Sequence, residues 1–351
     1  MADVKNVMGV SAGDIKNIMG VDAGDIKSVM GFDFVTGPGW LGDRNFMAGL
    51  SFDPYHDIFY KSSTSSGNTA AFGDLDYGRD SPRGAGTGSG GARGIIGGGH
   101  NSAADERQAA YDYIACNTLA NAQDGGDADA ARGTGSASSN GTLLFFVGGI
   151  QDSPYGRTDD MEYITIASLG SGTDAGNLIK DNGNQGFVSG DTRGAFFAGL
   201  TGDSSSSYLN YNYQAVDYIT FHTSNNAADF GDCSSKSGYG SACASQTRWV
   251  YKLGSMYSVA TGSVYFNNID YFTAASTGNY SDFGDISGRT DFHAGMGDGT
   301  RGEFWGGRND TPTWIDSIAY VTIASTGDGT DAGNIHSGAH YTQQGGFSGA
   351  S

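Results

Sequence analysis

The sequence predicts an all-β fold, a six-bladed β-propeller, on two grounds: its composition and one long internal repeat. The chain has 351 residues, of which 59 are glycine and five are proline, and only three of its 38 acidic residues are Glu. Gly, Asp, Ser and Thr favour turns, and Tyr and Phe favour strands. Glu, Lys and Leu, which usually fill helix surfaces, are scarce. Most of the chain is therefore predicted to be strand and turn.

The repeat covers residues 44–351, and its successive copies start 49 to 55 residues apart. One half is an arginine–aromatic–glycine segment, found as RNFMAGL from Arg44, RGIIGGG from Arg93, LLFFVGG from Leu143, RGAFFAG from Arg193, RWVYKLG from Arg248 and RGEFWGG from Arg301. The other half is a Tyr-centred strand such as VDYITFHT at Val216. An Asp-Gly segment such as ADFGDC at Ala228 follows it, and we interpret that segment as a turn.

Six copies of this length predict a closed ring of blades. A period of about 40–50 residues that holds several short strands is typical of propeller blades. A ring also removes the open sheet edges that a linear stack would expose. The final segment, GGFSGAS, matches the segment that precedes each arginine–aromatic strand, so we expect it to complete the sheet of the first copy. The alternative is a β-solenoid, whose rungs are normally shorter.

Residues 1–33 contain a shorter repeat of 11 residues, KNVMGVSAGDI from Lys5, KNIMGVDAGDI from Lys16 and KSVMGF from Lys27. Ser11 and Asp22 as N-caps and Gly20 as a C-terminal residue predict helices of one or two turns. Helices this short are unstable alone, so this segment either docks on another surface or is a frayed tail. Residues 34–43 are interpreted as a linker. The candidate docking residues are Ile15, Ile18, Met19, Ile26, Val29 and Met30.

Charge and cysteine content exclude several classes of protein. The formal net charge of −19 argues against nucleic-acid binding and anionic membranes, which need clustered Lys and Arg. No run approaches the roughly 20 apolar residues of a membrane span, and the N-terminus has no secretion-signal pattern. Three cysteines do not make a disulfide framework. Cys116 is predicted to be a core residue, while Cys233 and Cys243 either bridge a loop or remain free thiols.

Motifs that suggest chemistry are weak. The DFG strings at 229–231 and 282–284 recur at one phase of the repeat, which is unlike a kinase signature. Aspartates such as Asp174 and Asp282 can bind Ca²⁺, but we favour the interpretation that they close their own turns. His336 and His340 lie in a Gly/Ser stretch, which makes a zinc site improbable. We therefore predict a protein that is not an enzyme and has no metal or cofactor; paired carboxylates for glycoside hydrolysis are a minor alternative.

The copies differ most in the connection between the glycine pair and the strand tyrosine. This spacing is 14 residues in copies two and three, 19 in copy four and 17 in copy five. Equivalent loops of a propeller emerge on one face, so the two insertions are predicted to form an aromatic patch. Tyr with Ser and Asn suits recognition of a ligand, and equally contact with a neighbouring subunit. The candidate ligand-binding residues are Tyr208, Tyr211, Tyr213, Tyr257, Tyr265 and Trp314.

The repeat unit, DYITIAS followed by an Asp-Gly segment and R-G-x-F-x-G-G, resembles that of virion structural and tail-fibre proteins of tailed phages, marine ones especially. The N-terminal KNVMGV units are similar to IK-x-V-x-G-V repeats of phage structural proteins. The chain more distantly resembles kelch-type propellers, but it lacks the Trp that usually follows the Tyr, so their functions are not carried over.

This resemblance implies a component on the exterior of a phage particle. Residues 1–33 would contact other virion proteins, and the propeller, as a homo-oligomer, would contact a host-surface glycan or protein through its Tyr-rich loops. A decoration (cement) protein of the head or tail is the alternative, and a carbohydrate-active enzyme is a more remote one. No nucleic-acid partner and no membrane insertion are expected.

Overall fold

The structure is a computed structural model of the whole chain. It describes residues 43–48, 56–79, 82–88, 93–101, 106–152, 155–190, 192–201, 212–221, 226–258, 262–311, 313–335 and 345–349, and the backbone pairing of residues 6–7, 10–11, 17–18, 21–22, 28–29 and 32–33. No helix occurs among these residues.

The described residues form 38 strands. In chain order they are β1 (Asn6–Val7), β2 (Val10–Ser11), β3 (Asn17–Ile18), β4 (Val21–Asp22), β5 (Ser28–Val29), β6 (Phe32–Asp33), β7 (Arg44–Ala48), β8 (Asp57–Ser62), β9 (Ala70–Asp74), β10 (Arg83–Gly88), β11 (Arg93–Gly97), β12 (His100–Asn101), β13 (Glu106–Arg107), β14 (Ala110–Ala115), β15 (Gln123–Asp127), β16 (Ser136–Ser139), β17 (Leu143–Val147), β18 (Ile150–Asp152) and β19 (Tyr155–Arg157). They continue with β20 (Asp160–Thr165), β21 (Thr173–Asn177), β22 (Gly186–Ser189), β23 (Arg193–Leu200), β24 (Asn212–Thr220), β25 (Ala228–Asp232), β26 (Ser241–Ala244), β27 (Arg248–Lys252), β28 (Ser255–Ser258), β29 (Gly262–Tyr265), β30 (Asn268–Thr273), β31 (Ser281–Asp285), β32 (Thr290–Asp291), β33 (Ala294–Gly297), β34 (Arg301–Trp305), β35 (Arg308–Asn309), β36 (Ser317–Thr322), β37 (Thr330–Asn334) and β38 (Gly345–Gly349).

Six four-stranded antiparallel sheets make the blades of a propeller, which confirms the predicted architecture. From the axis outwards, blades one to six are β38-β7-β8-β9, β10-β11-β14-β15, β16-β17-β20-β21, β22-β23-β24-β25, β26-β27-β30-β31 and β33-β34-β36-β37. The innermost strands of neighbouring blades pack against one another around the axis. The connections from second to third strand and those between blades emerge on one face, here called the upper face. It carries the hairpins β12–β13, β18–β19 and β28–β29 and the pair β32–β35.

The ring closes through the two ends of the repeat region. β38 is the innermost strand of the first blade and pairs with β7, as the phase of the repeat predicts. Phe347 lies opposite Phe46 in this register, and the two rings stack with centroids 5.0 Å apart. Because residues from both ends of the repeat region share one sheet, blade one closes the ring of blades.

The two halves of the sequence repeat are the second and third strands of each blade. The arginine–aromatic segment is almost wholly buried after its first residue, as in β17 and β27. The Tyr-centred segment pairs with it; Tyr163 of β20, for instance, lies opposite Phe145. Apolar rings on consecutive sheets then meet between blades, as where Phe197 stacks on Tyr251 with centroids 5.1 Å apart.

The Asp-Gly segment is a strand and not the turn we expected from its composition. It forms the outermost strand of every blade, as in β21 and β25. Each of these strands contains an irregularity in register, located between Met161 and Glu162 on the partner of β21. The Asp174 carboxylate accepts a hydrogen bond from the Gly176 amide, which has a φ of +100°. Turn chemistry is therefore present, but it shapes a β-bulge in a strand.

The helices predicted in residues 1–33 are not supported by the described residues of this segment. The described residues of this segment form three antiparallel pairs, β1–β2, β3–β4 and β5–β6. Ile18 pairs with Val21 and Val29 pairs with Phe32, and in each case a Met-Gly pair separates the partners in the sequence. Two-residue connections that end in glycine favour hairpins, a signal we had assigned to helix C-termini. The other docking candidates, Ile15, Met19, Ile26 and Met30, lie outside the described residues.

All three cysteines are free and buried, so Cys116 is a core residue as predicted and Cys233 and Cys243 do not form a bridge. Burial raises the pKa of the Cys116 thiol to about 12 and also raises the pKa of the other two thiols.

Candidate recognition site on the upper face

The central group of the candidate site is the Arg308 guanidinium, on the upper face of blade six. It lies 4.7 Å from the ring centre of Phe292, 5.7 Å from that of Trp314 and 5.8 Å from that of Tyr265. These distances are within the range of cation–π attraction. Three aromatic rings from different connections therefore converge on one cation. We call Arg308, Phe292, Trp314, Tyr265 and the adjacent Tyr239 the Arg308 cluster.

A buried carboxylate fixes the orientation of Arg308. Its Nη2 and Nε atoms donate to the Asp291 carboxylate at 3.0 and 3.3 Å, and the Ser255 hydroxyl donates to the same group at 2.7 Å. Burial raises the pKa of the Asp291 carboxyl, while the hydrogen bonds from Arg308 and Ser255 act in the opposite direction. Asp291 and Arg308 are cross-strand partners in the β32–β35 pair. The local sheet therefore places the two charges together.

Two members of the cluster have an unusual backbone conformation. Tyr239 has a φ of +61° and Phe292 a φ of +60°, in the left-handed region that bulky residues rarely adopt. Their rings stack with centroids 4.1 Å apart, and Phe292 meets Trp314 edge to face at 5.8 Å. Backbone strain of this kind persists only where the surrounding structure enforces it, and it concentrates at binding sites.

A chain of backbone hydrogen bonds around the axis enforces this conformation. Tyr239 and Phe292 stand two residues before the innermost strands of their blades, and the equivalent Thr134 and Asn184 also have positive φ values, +57° and +59°. Asn184 N donates to Thr134 O at 2.7 Å, and Tyr239 N donates to Asn184 O at 2.8 Å. Phe292 N then donates to Tyr239 O at 2.9 Å. Each blade thus fixes the backbone conformation at this position of the next blade. The chain of hydrogen bonds runs from blade three to blade six.

The axial opening beside this chain is polar but small. Thr134, Gln185, Ser241 and His293 are among the residues that line it, and its volume is about 30 Å³. Gln185 is 5% exposed, and both polar atoms of its side-chain amide lack a hydrogen-bond partner among the described residues. A cavity of this size has room for about two water molecules. It therefore suits ordered water.

The structure brings only part of the predicted aromatic patch together. Tyr265 and Trp314 meet at Arg308, and Tyr257 is 43% exposed on the neighbouring β28–β29 hairpin. Tyr213 is half-buried, with Lys180 Nζ 5.4 Å from its ring centre, and burial together with nearby aspartates raises the pKa of its hydroxyl. Tyr213 therefore packs at the start of β24 in blade four and does not join the cluster. Tyr208 and Tyr211 lie outside the described residues.

Sequence reasoning missed Tyr239, Phe292, Asp291 and Arg308. The prediction rests on the insertions, whereas these residues lie outside them, three of them in the short segments before the innermost strands. Aligning GTGS, GNQG, GYGS and DFHA shows one position that changes from Thr134 and Asn184 to two aromatic residues. That change was the available signal. The left-handed backbone at this position was not visible, because it results from contacts between blades.

The buried carboxylates of Asp112 and Glu303 form ion pairs with residues of the preceding or following blade and of their own strand. Asp112 forms an ion pair with Arg79 at 2.8 Å, and Glu303 binds Lys61 at 2.6 Å and Arg301 at 3.0 Å. No group of three or more His, Cys, Asp or Glu side chains within the described ranges is arranged to hold a metal ion. Across the same residues no helix meets the length and hydropathy needed to span a membrane.

Comparison with known proteins supports the fold alone. No protein-family model and no curated protein matches the sequence. The solved structure of YjhT is similar to this chain with a TM-score of 0.66, covering 84% of this chain and 97% of its own. The sequences are 12% identical, so the similarity defines the class of fold, a six-bladed β-propeller, and says nothing about function.

Proposed function

We propose that this protein is a recognition propeller, an adhesin-type or tail-fibre component on the exterior of a phage particle that binds a host-surface glycan or protein. The Arg308 cluster carries the proposal. It is a half-buried group of aromatic rings around an oriented guanidinium on the face where the loops of the propeller gather. The resemblance of the repeat to virion proteins supports the location.

The chemistry of the cluster suits binding. Arg, Trp and Tyr are the residue types that contribute most to binding free energy at protein interfaces. Asp291 and the backbone chain hold Arg308 and Phe292 in place before any ligand arrives, so little conformational entropy is lost on binding. Trp314 and Tyr265 add ring faces on which the apolar face of a sugar or an aromatic side chain can stack.

The test is binding of the full-length protein to a panel of intact bacterial cells and to a glycan array. The variant is the double substitution Tyr265→Ala and Trp314→Ala, which removes two rings and leaves the Asp291–Arg308 pair in place. The matched control is Tyr280→Ala, because Tyr280 is 41% exposed in the connection between β30 and β31, on the opposite face. We expect binding at least tenfold weaker in the double variant and unchanged in the control.

Two results would reject the proposal. One is binding that survives in the double variant at the strength of the parent. The other is a folded protein that binds no cell or glycan and buries the Arg308 cluster between its own copies; that outcome would favour the decoration-protein alternative.

A further inference from the structure

Consecutive blades of this propeller are joined by a repeated buried contact. A carboxylate of the third strand accepts a hydrogen bond from a backbone amide that lies two residues beyond the outermost strand of the preceding blade. The acceptors Asp112, Glu162, Asp217 and Asp270 pair in this way with the amides of Asp76, Asp129, Ile179 and Ser234. Each of the four carboxylates belongs to a residue that is at most 2% exposed.

A second side chain also fills the space between blades one and two and between blades two and three. It lies five residues beyond the outermost strand, where Arg79 and Arg132 extend into the space between blades. Arg79 donates to the Asp112 carboxylate and to two carbonyl groups of blade two, those of Gly98 and Ala110. Arg132 contacts the Asp160 carboxylate of blade three at 3.2 Å. A long side chain and a carboxylate therefore occupy the same region.

Both positions hold small residues between blades five and six. Ala319 stands where the third strands of blades two to five carry a carboxylate, and Thr290 stands where the first junctions carry an arginine. A cavity of about 210 Å³ occupies the space, and both residues line it. Phe304 and Ile318 form an apolar, fully buried part of its wall, while Ser317 and Asp331 are exposed at its edge.

We propose that this cavity, between blades five and six, binds a small organic cation that carries a single apolar ring. The cavity exceeds the roughly 150 Å³ that holds a benzene molecule in an engineered protein core. Its wall of Phe304 and Ile318 suits a ring, and the edge offers the Asp331 carboxylate to a positive group. The net charge of −19 favours a cation over an anion. This site is separate from the Arg308 cluster and does not depend on the function proposed for it.

His293 adds no opposing charge. Its imidazole is buried, and its ring nitrogens contact the Ser241 hydroxyl and the Thr290 carbonyl at 3.1 Å each. Burial and the nearby Lys252 ammonium lower the pKa of His293 well below its ordinary value. Lys252 does not line the cavity, and its side chain donates to the carbonyl groups of Leu253, Phe266 and Thr290. The polar lining is therefore a neutral imidazole and hydroxyl groups, with the Asp331 carboxylate as the charged group at the edge.

The test measures binding of benzylamine to the full-length protein by calorimetry and ligand-observed NMR, with benzoate as a probe of equal size and opposite charge. Ala319→Leu fills the cavity and should weaken benzylamine binding at least tenfold. Thr322→Leu is the matched control, because Thr322 is exposed on the same strand and its replacement leaves the cavity open. Asp331→Asn keeps the size of the side chain and should weaken benzylamine binding several-fold, while benzoate binding should not weaken, because a repulsive charge is removed.

We expect the parent protein to bind benzylamine more tightly than benzoate. The proposal is overturned if the parent binds neither probe, or if Ala319→Leu folds and binds benzylamine as the parent does. If Ala319→Leu fails to fold, Asp331→Asn provides the test. Benzylamine binding of equal strength in Asp331→Asn and in the parent would contradict the proposed orientation of the ligand.

Discussion

The guanidinium carbon of Arg248 lies 4.4 Å from the centre of the Tyr271 ring on the neighbouring strand of the same blade. Arg248 also donates a hydrogen bond to the Ile323 carbonyl of the next blade at 3.1 Å. The two halves of the sequence repeat therefore meet in space, and the arginine links one blade to the next. The same arrangement joins Arg44 with Tyr60 and Cys116, Arg93 with Tyr113 and Ile166, and Arg193 with Tyr218 and Ala274.

Replacing Arg248 with Ala should lower the free energy of unfolding by about 1–3 kcal/mol, because a cation–π contact and a charged hydrogen bond are lost together. Arg248→Lys should recover only part of this loss, since an ammonium lacks the planar fork that reaches both partners. Urea denaturation measures both effects. Arg289→Ala, at an exposed position, is the control and should change stability little. Equal effects at positions 248 and 289 would show that the link between blades contributes nothing.

Much of the fold was predictable because the repeat encodes it six times. The second and third strands followed from runs such as LLFFVGG at Leu143, and ring closure followed from the position of Phe347 relative to Phe46. The outermost strands were missed, because Asp and Gly are poor strand formers and their bulges depend on a partner strand. At residues 1–33 we interpreted glycines as helix ends, whereas the described residues pair as strands.

The candidate site was predictable only in part. Tyr265 and Trp314 were found because insertions and tryptophans stand out in a repeat. Phe292 was not found, because its exposure at the site depends on a left-handed backbone held by Tyr239 of the preceding blade. Such a conformation is set by contacts between blades, which no single copy of the repeat contains.

The reactivity of the three thiols should depend on whether the protein is folded. Cys116, Cys233 and Cys243 are free and buried, and burial raises the pKa of each thiol, so few thiolates are present at pH 8. We expect no rapid reaction of the native protein with Ellman's reagent. Unfolding in guanidinium without a reductant should release all three thiols. A value of one thiol per chain would instead reveal a bridge between two cysteines.

Closure of the ring through β38 should contribute strongly to stability. Phe347 is 4% exposed and stacks on Phe46, so Phe347→Ala should lower the free energy of unfolding by about 3–5 kcal/mol. Phe187→Ala is the control, because it removes the same ring from the innermost strand of blade four, where the side chain is only partly buried. The measurement is guanidinium denaturation followed by circular dichroism. If the free energy of unfolding falls equally in both variants, pairing of β38 with β7 makes no special contribution to stability.

The pH dependence of the free energy of unfolding should reflect the titration of two buried carboxyls, those of Asp217 and Asp270. Burial raises the pKa of Asp217 and of Asp270 to about 6, although each accepts a backbone hydrogen bond that acts in the opposite direction. In the unfolded chain such groups titrate near pH 4, so between about pH 4 and 6 the native protein binds more protons than the unfolded one. Stability should therefore fall as the pH rises through this window, by roughly 1–3 kcal/mol for each carboxyl, and then level off.

Asp270→Asn isolates this contribution, because the amide oxygen can still accept the hydrogen bond that Ser234 N donates but cannot ionise. Repulsion among the exposed aspartates also lowers stability as the pH rises, and Asp174→Asn controls for it, since it removes the same charge from an exposed position on the outermost strand of blade three, away from Asp270. Urea denaturation at intervals from pH 4 to 7 should show a shallower decline for Asp270→Asn than for Asp174→Asn. Identical slopes in the two variants would mean that the Asp270 carboxyl titrates as it does in water, and the desolvation argument for the contacts between blades would fail.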